Sequence, residues 1–455
     1  MSTVARPERA PSRLPARTIA RYAAGSLGTG GYATLPGLVL TYFLTDNLGV
    51  TALLAGAIVT AAKIWDVLID PVIGAASDRA LARTGTRRGF MVAGGFLLPV
   101  FFALTFAVPP AFGPVAGALC VLVAFLATAT AFSVFQVPYV ALPAELTRSY
   151  DERTRLLSWR VIVLTAAILL FGAGGPELRR LTGDPVTGYL VMGVVAGLVI
   201  GIGMLIASRT ADAARVERTP ASLPATSLRE QYATGVQALR RSAPFRALLG
   251  TFLLQALATG TMLAGAQYVA TWVMHSESAV TLLFAALVAP ALVATPLWER
   301  LSRRIGKERA FAAASALFLV AAVSVTAALW APGSWIYASV AVAGVAYAGL
   351  QALPMAMLPD VISHDERVTG PGQAGTFTGV WTAGETVGFA LGATIVSTAL
   401  AITGYASRVA GETATQPDAA VAAIVLCFSV IPAALILLSL ATLSRYRLRR
   451  ADIDA

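Results

Sequence analysis

The stretch KIWDVLIDPVIG, residues 63–74, places one lysine and two aspartates in an otherwise apolar helical segment. Asp66 and Asp70 are four residues apart, so their side chains lie on one helix face, a turn apart, together with Lys63. Pro71 has no N–H group, which leaves a carbonyl one turn earlier without its helical partner. Such charges are easily solvated in a soluble protein but costly in a membrane. The surrounding sequence decides which of the two environments this segment lies in.

The composition is that of a protein that crosses a membrane many times. Of the 455 residues, 57% are hydrophobic and 13% are charged, and the mean hydropathy is +0.72. About a quarter of the residues are charged in ordinary soluble domains. Cys120 and Cys427 both lie in apolar runs, so the sequence predicts neither a disulfide framework nor a cysteine metal site.

The apolar runs divide the chain into predicted transmembrane helices. Runs of roughly 18 residues or more are long enough to cross a hydrocarbon core of about 30 Å. The twelve predicted helices cover residues 20–45, 50–78, 90–110, 114–142, 156–175, 188–208, 245–274, 278–298, 310–331, 334–359, 375–402 and 418–443.

Lysine and arginine are distributed unevenly between the two sides of the predicted bundle. The side that carries both termini holds 30 of the 34 basic residues. The positive-inside rule therefore predicts a multi-pass protein of the cell membrane with both termini in the cytoplasm. The net charge of +10 is then a topology signal and does not predict nucleic-acid binding. The basic N-terminal segment runs directly into the first helix, and we expect no cleaved signal peptide.

The polar segment 209–244 divides the chain into two predicted bundles of six helices each. The segment is read as a cytoplasmic linker between an N-terminal bundle, residues 1–208, and a C-terminal bundle, residues 245–455. The two bundles enclose one cavity in this interpretation, so a monomer suffices. The expected partners are a small-molecule solute and the lipid bilayer.

The two predicted bundles repeat short features of each other. An acidic residue precedes a glycine by seven positions after the second helix, Asp78 and Gly85, and again after the eighth, Glu299 and Gly306. Two prolines five residues apart recur after the fourth and tenth helices. Parallel repeats of six helices around a midplane site are typical of the major-facilitator transporters. We therefore predict an all-α membrane protein with this fold.

The two aspartates of the opening stretch are predicted to lie near the middle of the membrane. An unpaired charge there costs about 2.5–3.5 kcal/mol on insertion scales. In one interpretation Lys63 only neutralises Asp66 in a packing ion pair, which leaves Asp70 unexplained. In the other, Asp66 and Asp70 form a site for H⁺ or Na⁺, because two close carboxylates repel each other until a bound cation offsets their charge. The two residues would be metal ligands only if the ion is Na⁺, and no other cofactor is expected.

Other polar or aromatic side chains in the predicted helices are candidates for the solute site. The alternative for each is a packing role or a hydrogen bond to a neighbouring helix. The candidate solute-binding residues are Gln136, Arg160, Glu385, Lys63, Tyr32 and Trp381, and Ser133 is a further candidate for the cation site.

Charged residues at the predicted cytoplasmic helix ends are candidates for a gate. Asp78 and Arg79 follow the second helix, and Glu299 and Arg300 follow the eighth. Such residues can form ion pairs between helix ends that hold one gate shut. The alternative is that they are solvated loop residues.

Several motifs resemble one transporter family, the glycoside–pentoside–hexuronide cation symporters of the major facilitator superfamily. The motifs are YFLTDNLGV (42–50), KIWDVLIDPVIGAASDR (63–79), VPYVALPAELT (137–147) and MLPDVISHDERVTG (357–370). The resemblance covers most of the chain and implies a major-facilitator fold with cation-coupled symport.

The resemblance also implies roles for individual residues. Asp66 and Asp70 match the two carboxylates of the family's cation site. Ser133 falls where the family has a hydroxyl near that site. Arg160 matches an arginine near the sugar site.

The sequence departs from the family pattern at positions that bear on ion and solute. Ile69 replaces an asparagine of the cation site, and the loss of this neutral oxygen ligand favours H⁺ over Na⁺ as the expected coupling ion. The sugar-binding aspartates fall at Gly30 and Gln136, and the stacking tryptophan falls at Val140. Glu385 stands where the family has a lysine. We therefore expect coupling machinery with an altered solute site.

The function expected from the sequence is cation-coupled symport of a small organic solute, a sugar or glycoside by resemblance. The alternatives are a proton-coupled exporter, an uncoupled facilitator, a carrier of lipids or amphiphiles, and a non-transporting sensor. An intramembrane transferase is disfavoured, because a metal-dependent enzyme needs more carboxylates than one intramembrane pair. The sequence leaves open the solute, the ion, the direction of transport and the oligomeric state.

Overall fold

The computed structural model describes residues 13–147, 150–213, 239–369 and 374–448. Within these residues the chain is helical, and its β-structure is one isolated antiparallel bridge between Leu48 and Val409. Most of the predicted linker, residues 214–238, lies outside the described residues.

Seven helices form the first half of the described chain, residues 13–213. They are α1 Ala16–Ala24, α2 Ser26–Asp46, α3 Ala52–Thr84, α4 Arg88–Phe106, α5 Gly113–Leu146, α6 Tyr150–Arg180 and α7 Pro185–Ser208. Each corresponds to a predicted span, with a break at Gly25 inside the first one, but α3 ends six residues beyond its span and α6 begins six residues before its own.

Seven more helices form the second half, residues 239–448. A π-helical turn, Val269–Val273, continues the first of them, and the last predicted span is broken at Ser429. The helices are α8 Ala243–Tyr268, α9 Ala279–Ile305, α10 Lys307–Val325, α11 Trp335–Thr369, α12 Ala374–Ile402, α13 Asp418–Phe428 and α14 Val430–Leu443.

Eleven helical segments in the described residues are long and apolar enough to cross a membrane. The first predicted span corresponds to α2, which is not among those eleven. Seventeen of the 21 residues of α2 are buried, and they include Gly28, Gly30 and Gly31. Because α2 is surrounded by other helices, it needs no apolar face towards lipid.

The two halves pack in the same way, which confirms the repeat inferred from the sequence. In the first half α4 packs against α5 and α7, and in the second half α10 packs against α11 and α14. Across the halves, α2 contacts α8, α3 contacts α12, and α6 contacts α9. A twofold relation between the halves pairs α2 with its counterpart α8 and exchanges the α3–α12 contact with the α6–α9 contact.

The repeated glycines end their helices for a conformational reason. Gly85 follows α3 with φ +75°, and its N–H group donates to the carbonyl of Leu81. Gly306 follows α9 with φ +93°. Positive φ is easily reached only by glycine, so the acid-to-glycine spacing in each half marks the end of a helix.

The two ends of the bundle differ in charge. The basic end is the one at which α1 begins and α14 ends, and it carries the Lys- and Arg-rich connections. The remote end is formed by the connections 47–51, 107–112, 181–184, 274–278, 326–334 and 403–417.

The backbones of α8 and α12 approach each other most closely at two glycines. A Cβ atom added to Gly392 would lie 2.3 Å from the carbonyl carbon of Gly260, which real contacts do not allow. A Cβ added to Gly379, on the same helix, would meet no atom within 4 Å.

We expect Gly392→Ala to lower the melting temperature of the purified protein, because the added methyl group forces the helices apart. Overpacking of this kind costs about 1–3 kcal/mol. Gly379→Ala is the matched control and should be neutral or stabilising, since alanine favours the helix at both positions. Thermal unfolding in detergent measures the difference, and equal melting temperatures for the two variants would contradict the close approach.

Candidate cation and solute site

The carboxylate of Asp66 is buried in a cluster contributed by α2 and α3. Lys63 Nζ lies 3.1 Å from Asp66 Oδ2. The Tyr32 hydroxyl donates to the same carboxylate, with O···O distances of 3.2 and 3.3 Å. The ammonium group of Lys63 also lies 4.0 Å from the centre of the Tyr32 ring, in a cation–π contact. Asp66 is therefore already neutralised by its own helix.

Asp70 lies one turn further along α3 and has a different environment. It is partly exposed and forms no salt bridge with any described residue. Ser133 of α5 lies beside it, outside hydrogen-bond geometry. The Ser133 hydroxyl is buried and has no hydrogen-bond partner among the described residues. An unpaired carboxylate beside an unsatisfied hydroxyl fits a site for a small cation.

The oxygen ligands in this region are few. Among the described residues there is no group of three or more His, Cys, Asp or Glu side chains that could hold a metal ion. Asp66 is paired with Lys63, so Asp70 and Ser133 are the oxygen ligands left for an incoming ion. A proton needs one carboxylate oxygen, whereas a hard metal cation prefers several oxygen donors.

Gln136 lies on α5 and bonds to α2. The Thr29 hydroxyl donates to Gln136 Oε1 at 2.8 Å. The neighbouring Gly30 is pressed against α6, since an added Cβ would lie 2.7 Å from Ala167 Cβ. The sugar-binding aspartate that the family carries at Gly30 therefore does not fit here without a shift of α6.

Arg160 lies on α6 beside an aromatic cluster. Its guanidinium carbon is 5.7 Å from the centre of the Tyr139 ring, which stacks on Tyr22 at 4.6 Å. Arg160 Nε is buried and has no hydrogen-bond partner in the part of the chain that the structure describes. The side chain thus keeps one donor free for a ligand or a bound water.

Glu385 lies on α12, half-buried, near Tyr347 of α11. The Tyr347 hydroxyl accepts a hydrogen bond of 2.6 Å from Gln351 Nε2. Tyr347 and Gln351 also line a cavity of about 10 Å³ next to Gln255, whose Oε1 is buried without a partner. A cavity of this size holds about one water molecule.

Trp381 lies one turn before Glu385 and is buried. Its ring stacks on Phe252 of α8, with 4.2 Å between the ring centres. The indole Nε1 has no hydrogen-bond partner. The contact fixes α8 against α12, and the assignment of Trp381 to the solute site stays a prediction.

The first gate motif forms a network within the first half. Arg87 Nη2 lies 2.5 Å from Asp78 Oδ1, and Arg87 Nε lies 2.6 Å from Glu145 Oε1. Arg79 donates to the carbonyl of Ala75 in its own helix. The network joins the end of α3 to α4 and α5.

The second gate motif lies within the second half. Glu299 pairs with Arg303 of its own helix, and Arg300 is exposed. Lys307, at the start of α10, lies 2.6 Å from Asp360 Oδ2 of α11. Both motifs thus hold helices of one half together, and the gating role of Asp78, Arg79, Glu299 and Arg300 stays a prediction.

Sequence reasoning missed other polar residues that the structure brings together. Thr29 donates a hydrogen bond to Gln136, and Gln351 donates one to Tyr347 near Glu385. Nothing in the sequence pattern singles out Thr29 or Gln351. Arg179 and Arg408 lie at the remote end and bond to the opposite half of the chain. Their signal was available, because basic residues are rare at that end.

The Lys63–Asp66 pair supports a stability prediction. Removing one partner of a buried ion pair costs about 3–5 kcal/mol, because the other charge stays buried and unpaired. We expect Lys63→Ala to lower the melting temperature in detergent, and the double variant Lys63→Ala with Asp66→Asn to regain most of the loss. A double variant as unstable as the single one would show that Lys63 contributes by packing and not by neutralising Asp66.

The unsatisfied hydroxyl of Ser133 supports a prediction on ion binding. Ser133→Ala removes no hydrogen bond of the structure, so the melting temperature without added ion should stay unchanged. If the hydroxyl contacts the ion, the stabilisation gained on lowering the pH or adding Na⁺ should shrink, and Ser133→Thr should retain it. The measurement is melting temperature against pH and against Na⁺ concentration. An unchanged ion response in Ser133→Ala would remove this residue from the site.

Comparison with known proteins places these features in a family context. The model of the MFS/sugar transport protein family matches residues 21–450. An uncharacterized symporter of Synechocystis is 26% identical, and the match covers 94% of each chain. A glucuronide carrier protein homolog of Escherichia coli is 23% identical, over 86% of this chain and 84% of the relative.

A solved structure shares the fold. The crystal structure of a D-xylose–proton symporter superposes with a TM-score of 0.68 at 13% sequence identity. The match covers 95% of this chain and 98% of the symporter. The predicted major-facilitator fold is therefore confirmed, as is the resemblance to the sugar–cation symporters.

Proposed function

Because the chain belongs to the MFS/sugar transport protein family, we propose that it is a secondary transporter that couples the symport of a sugar or glycoside to a cation. It is a transporter of the multi-pass membrane type and not an enzyme. The family supports cation-coupled sugar symport as the class of activity, and the details of ion and solute below are inferences from this chain's own residues.

The observation that carries the proposal is the state of Asp70. Asp66 is neutralised by Lys63, but Asp70, one turn away, forms no salt bridge within the described residues. A carboxylate left unpaired inside a membrane protein is unfavourable until a cation binds. A cation that binds one conformation better than another shifts the equilibrium between them, and this differential affinity is what coupling requires.

The coupling ion in this proposal is H⁺, with Na⁺ as the alternative. Asp70 and the hydroxyl of Ser133 are the free oxygen donors of the cluster, and Ile69 supplies none. A proton is satisfied by a single carboxylate oxygen. Na⁺ would need further donors from the solute or from water to complete its shell.

The solute is a sugar or glycoside held by a set of groups different from the family's usual one. Gly30 leaves no room for a carboxylate, so hydroxyl recognition falls to Gln136 and its partner Thr29. The free Nε of Arg160 can bind an acidic group. The glucuronide named for the Escherichia coli relative carries such a group. A glucuronide-type sugar is therefore the first solute to test.

The bundle is oriented with its basic end in the cytoplasm of the cell, and both termini lie on that side. The support is the excess of lysine and arginine at that end, 30 of 34 residues. The functional unit is a monomer with bundles at residues 1–208 and 245–455 joined by a linker at 209–244. One chain supplies both halves of the cavity, so a partner subunit is not needed.

The test is uptake into proteoliposomes with an imposed H⁺ or Na⁺ gradient and a panel of neutral and acidic sugars. Asp70→Asn should abolish accumulation against a gradient, because an amide carries no negative charge and does not take up a proton. Asp184→Asn is the matched control, since Asp184 caps α7 far from the site and asparagine also caps helices. Normal concentrative uptake by Asp70→Asn would sink the assignment.

A further inference from the structure

Asp46, the last residue of α2, joins the two halves at the remote end. Its buried carboxylate accepts hydrogen bonds from Tyr405 at 2.7 and 2.9 Å and from Arg408 Nε at 3.1 Å. Tyr405 and Arg408 belong to the connection between α12 and α13, in the second half. The Thr45 hydroxyl, also on α2, lies 2.8 Å from the Tyr268 hydroxyl of α8.

A second ion pair crosses between the halves at the same end. Arg179, in the last turn of α6, lies 3.0 Å from Glu277 Oε2 in the connection between α8 and α9. Arg179 is held in place by a hydrogen bond of 2.9 Å to the Tyr189 hydroxyl. The two pairs are reciprocal, because each half supplies one acid and one base.

Backbone hydrogen bonds reinforce the first pair. The N–H group of Arg408 donates to the carbonyl of Thr45, and that of Ala410 donates to the carbonyl of Asn47. The bridge between Leu48 and Val409 lies between them. These backbone hydrogen bonds therefore hold the segment 405–410 against the end of α2.

The two pairs differ in their access to water. The Asp46 side chain is 1% exposed and that of Glu277 is 49% exposed. A cavity of about 410 Å³ opens at this end and is lined by both pairs. Water at this end therefore reaches the carboxylate of Glu277 more readily than that of Asp46.

We propose that the Asp46–Arg408 and Arg179–Glu277 pairs are the outer gate of the transporter, the contacts that break when the central site opens to the outside. The placement on the outside rests on the orientation proposed above. Ion pairs suit this role, because each charge is stabilised by its partner when the halves meet and is solvated by water when they separate.

The gate motifs of the sequence do not provide this contact. The ion pairs of Asp78 and of Lys307 each stay within one half and move with it. Only a pair whose partners lie in different halves changes when the halves rotate against each other. The Asp46–Arg408 and Arg179–Glu277 pairs meet this condition.

A thiol-accessibility experiment tests the gate without any solute. Thr41 lies one turn inwards from Thr45 on α2 and is buried with an unpartnered hydroxyl, so Thr41→Cys is a mild reporter. The background is Cys120→Ser, which removes the exposed native thiol. The rate of labelling by a membrane-impermeant maleimide is measured in right-side-out and inside-out vesicles.

We expect Glu277→Ala and Arg408→Ala each to raise the labelling rate of the reporter from the outside several-fold, and the double variant to raise it further. Arg180→Ala is the matched control. Arg180 pairs with Glu177 in its own helix and is about as exposed as Glu277. This variant should leave the rate unchanged.

Two results would overturn the proposal. One is an unchanged outside rate in the double variant, and the other is an equal rise in Arg180→Ala. Cys427, fully buried, reports folding, because it reacts only if the bundle loosens. A variant that exposes Cys427 is replaced by the milder Glu277→Gln or Arg408→Gln, to which the same criteria apply. Because labelling needs no sugar, its outcome is independent of which solute or ion is coupled.

Discussion

The structure depends on the high free energy of a charge inside a membrane. Three ionisable side chains lie within two turns of α3, and the protein neutralises two of them with each other. The third, Asp70, has no counter-ion among the residues that the structure describes and lies beside the Ser133 hydroxyl, which has no partner among them either. In the proposed function this imbalance is what a cation relieves, and α2, α3 and α5 surround that place.

The ion pairs divide into two kinds according to what they join. At the basic end, Arg87 and Lys307 lie at the starts of α4 and α10, and each ties that start to another helix of its own half. At the remote end, the pairs of Asp46 and Arg179 tie one half to the other. The first kind makes each half a rigid unit, and the second kind sets the relation between the two units.

Much of the fold could be predicted from the sequence. Apolar length locates the membrane helices, since a bilayer leaves few alternatives to a helix of about 20 residues. The breaks at Gly25 and Ser429 could not be predicted, because hydropathy averages over a window and does not register one residue. Nor could it show that α2 is enclosed by its neighbours.

The candidate site was predictable only where its residues are local. Lys63, Asp66 and Asp70 share a helix face, so their spacing alone places them together. The Asp46–Arg408 contact joins residues 362 positions apart, and helical periodicity carries no information about such distances. Gly30 shows the same limit. The glycine at a position where the family has an aspartate was visible in the sequence, but its close packing against Ala167 is seen only in the assembled helices.

The burial of α2 has a consequence for how the protein is made. The helix is synthesised before most of its half, yet 17 of its 21 residues are buried against protein in the folded bundle. Its main neighbours, α6 and α7, are synthesised more than a hundred residues later. During that interval these residues lack the neighbours that bury them in the folded bundle. Until α6 and α7 are made, the contacts of α2 within its half come mainly from α1, α3 and α5.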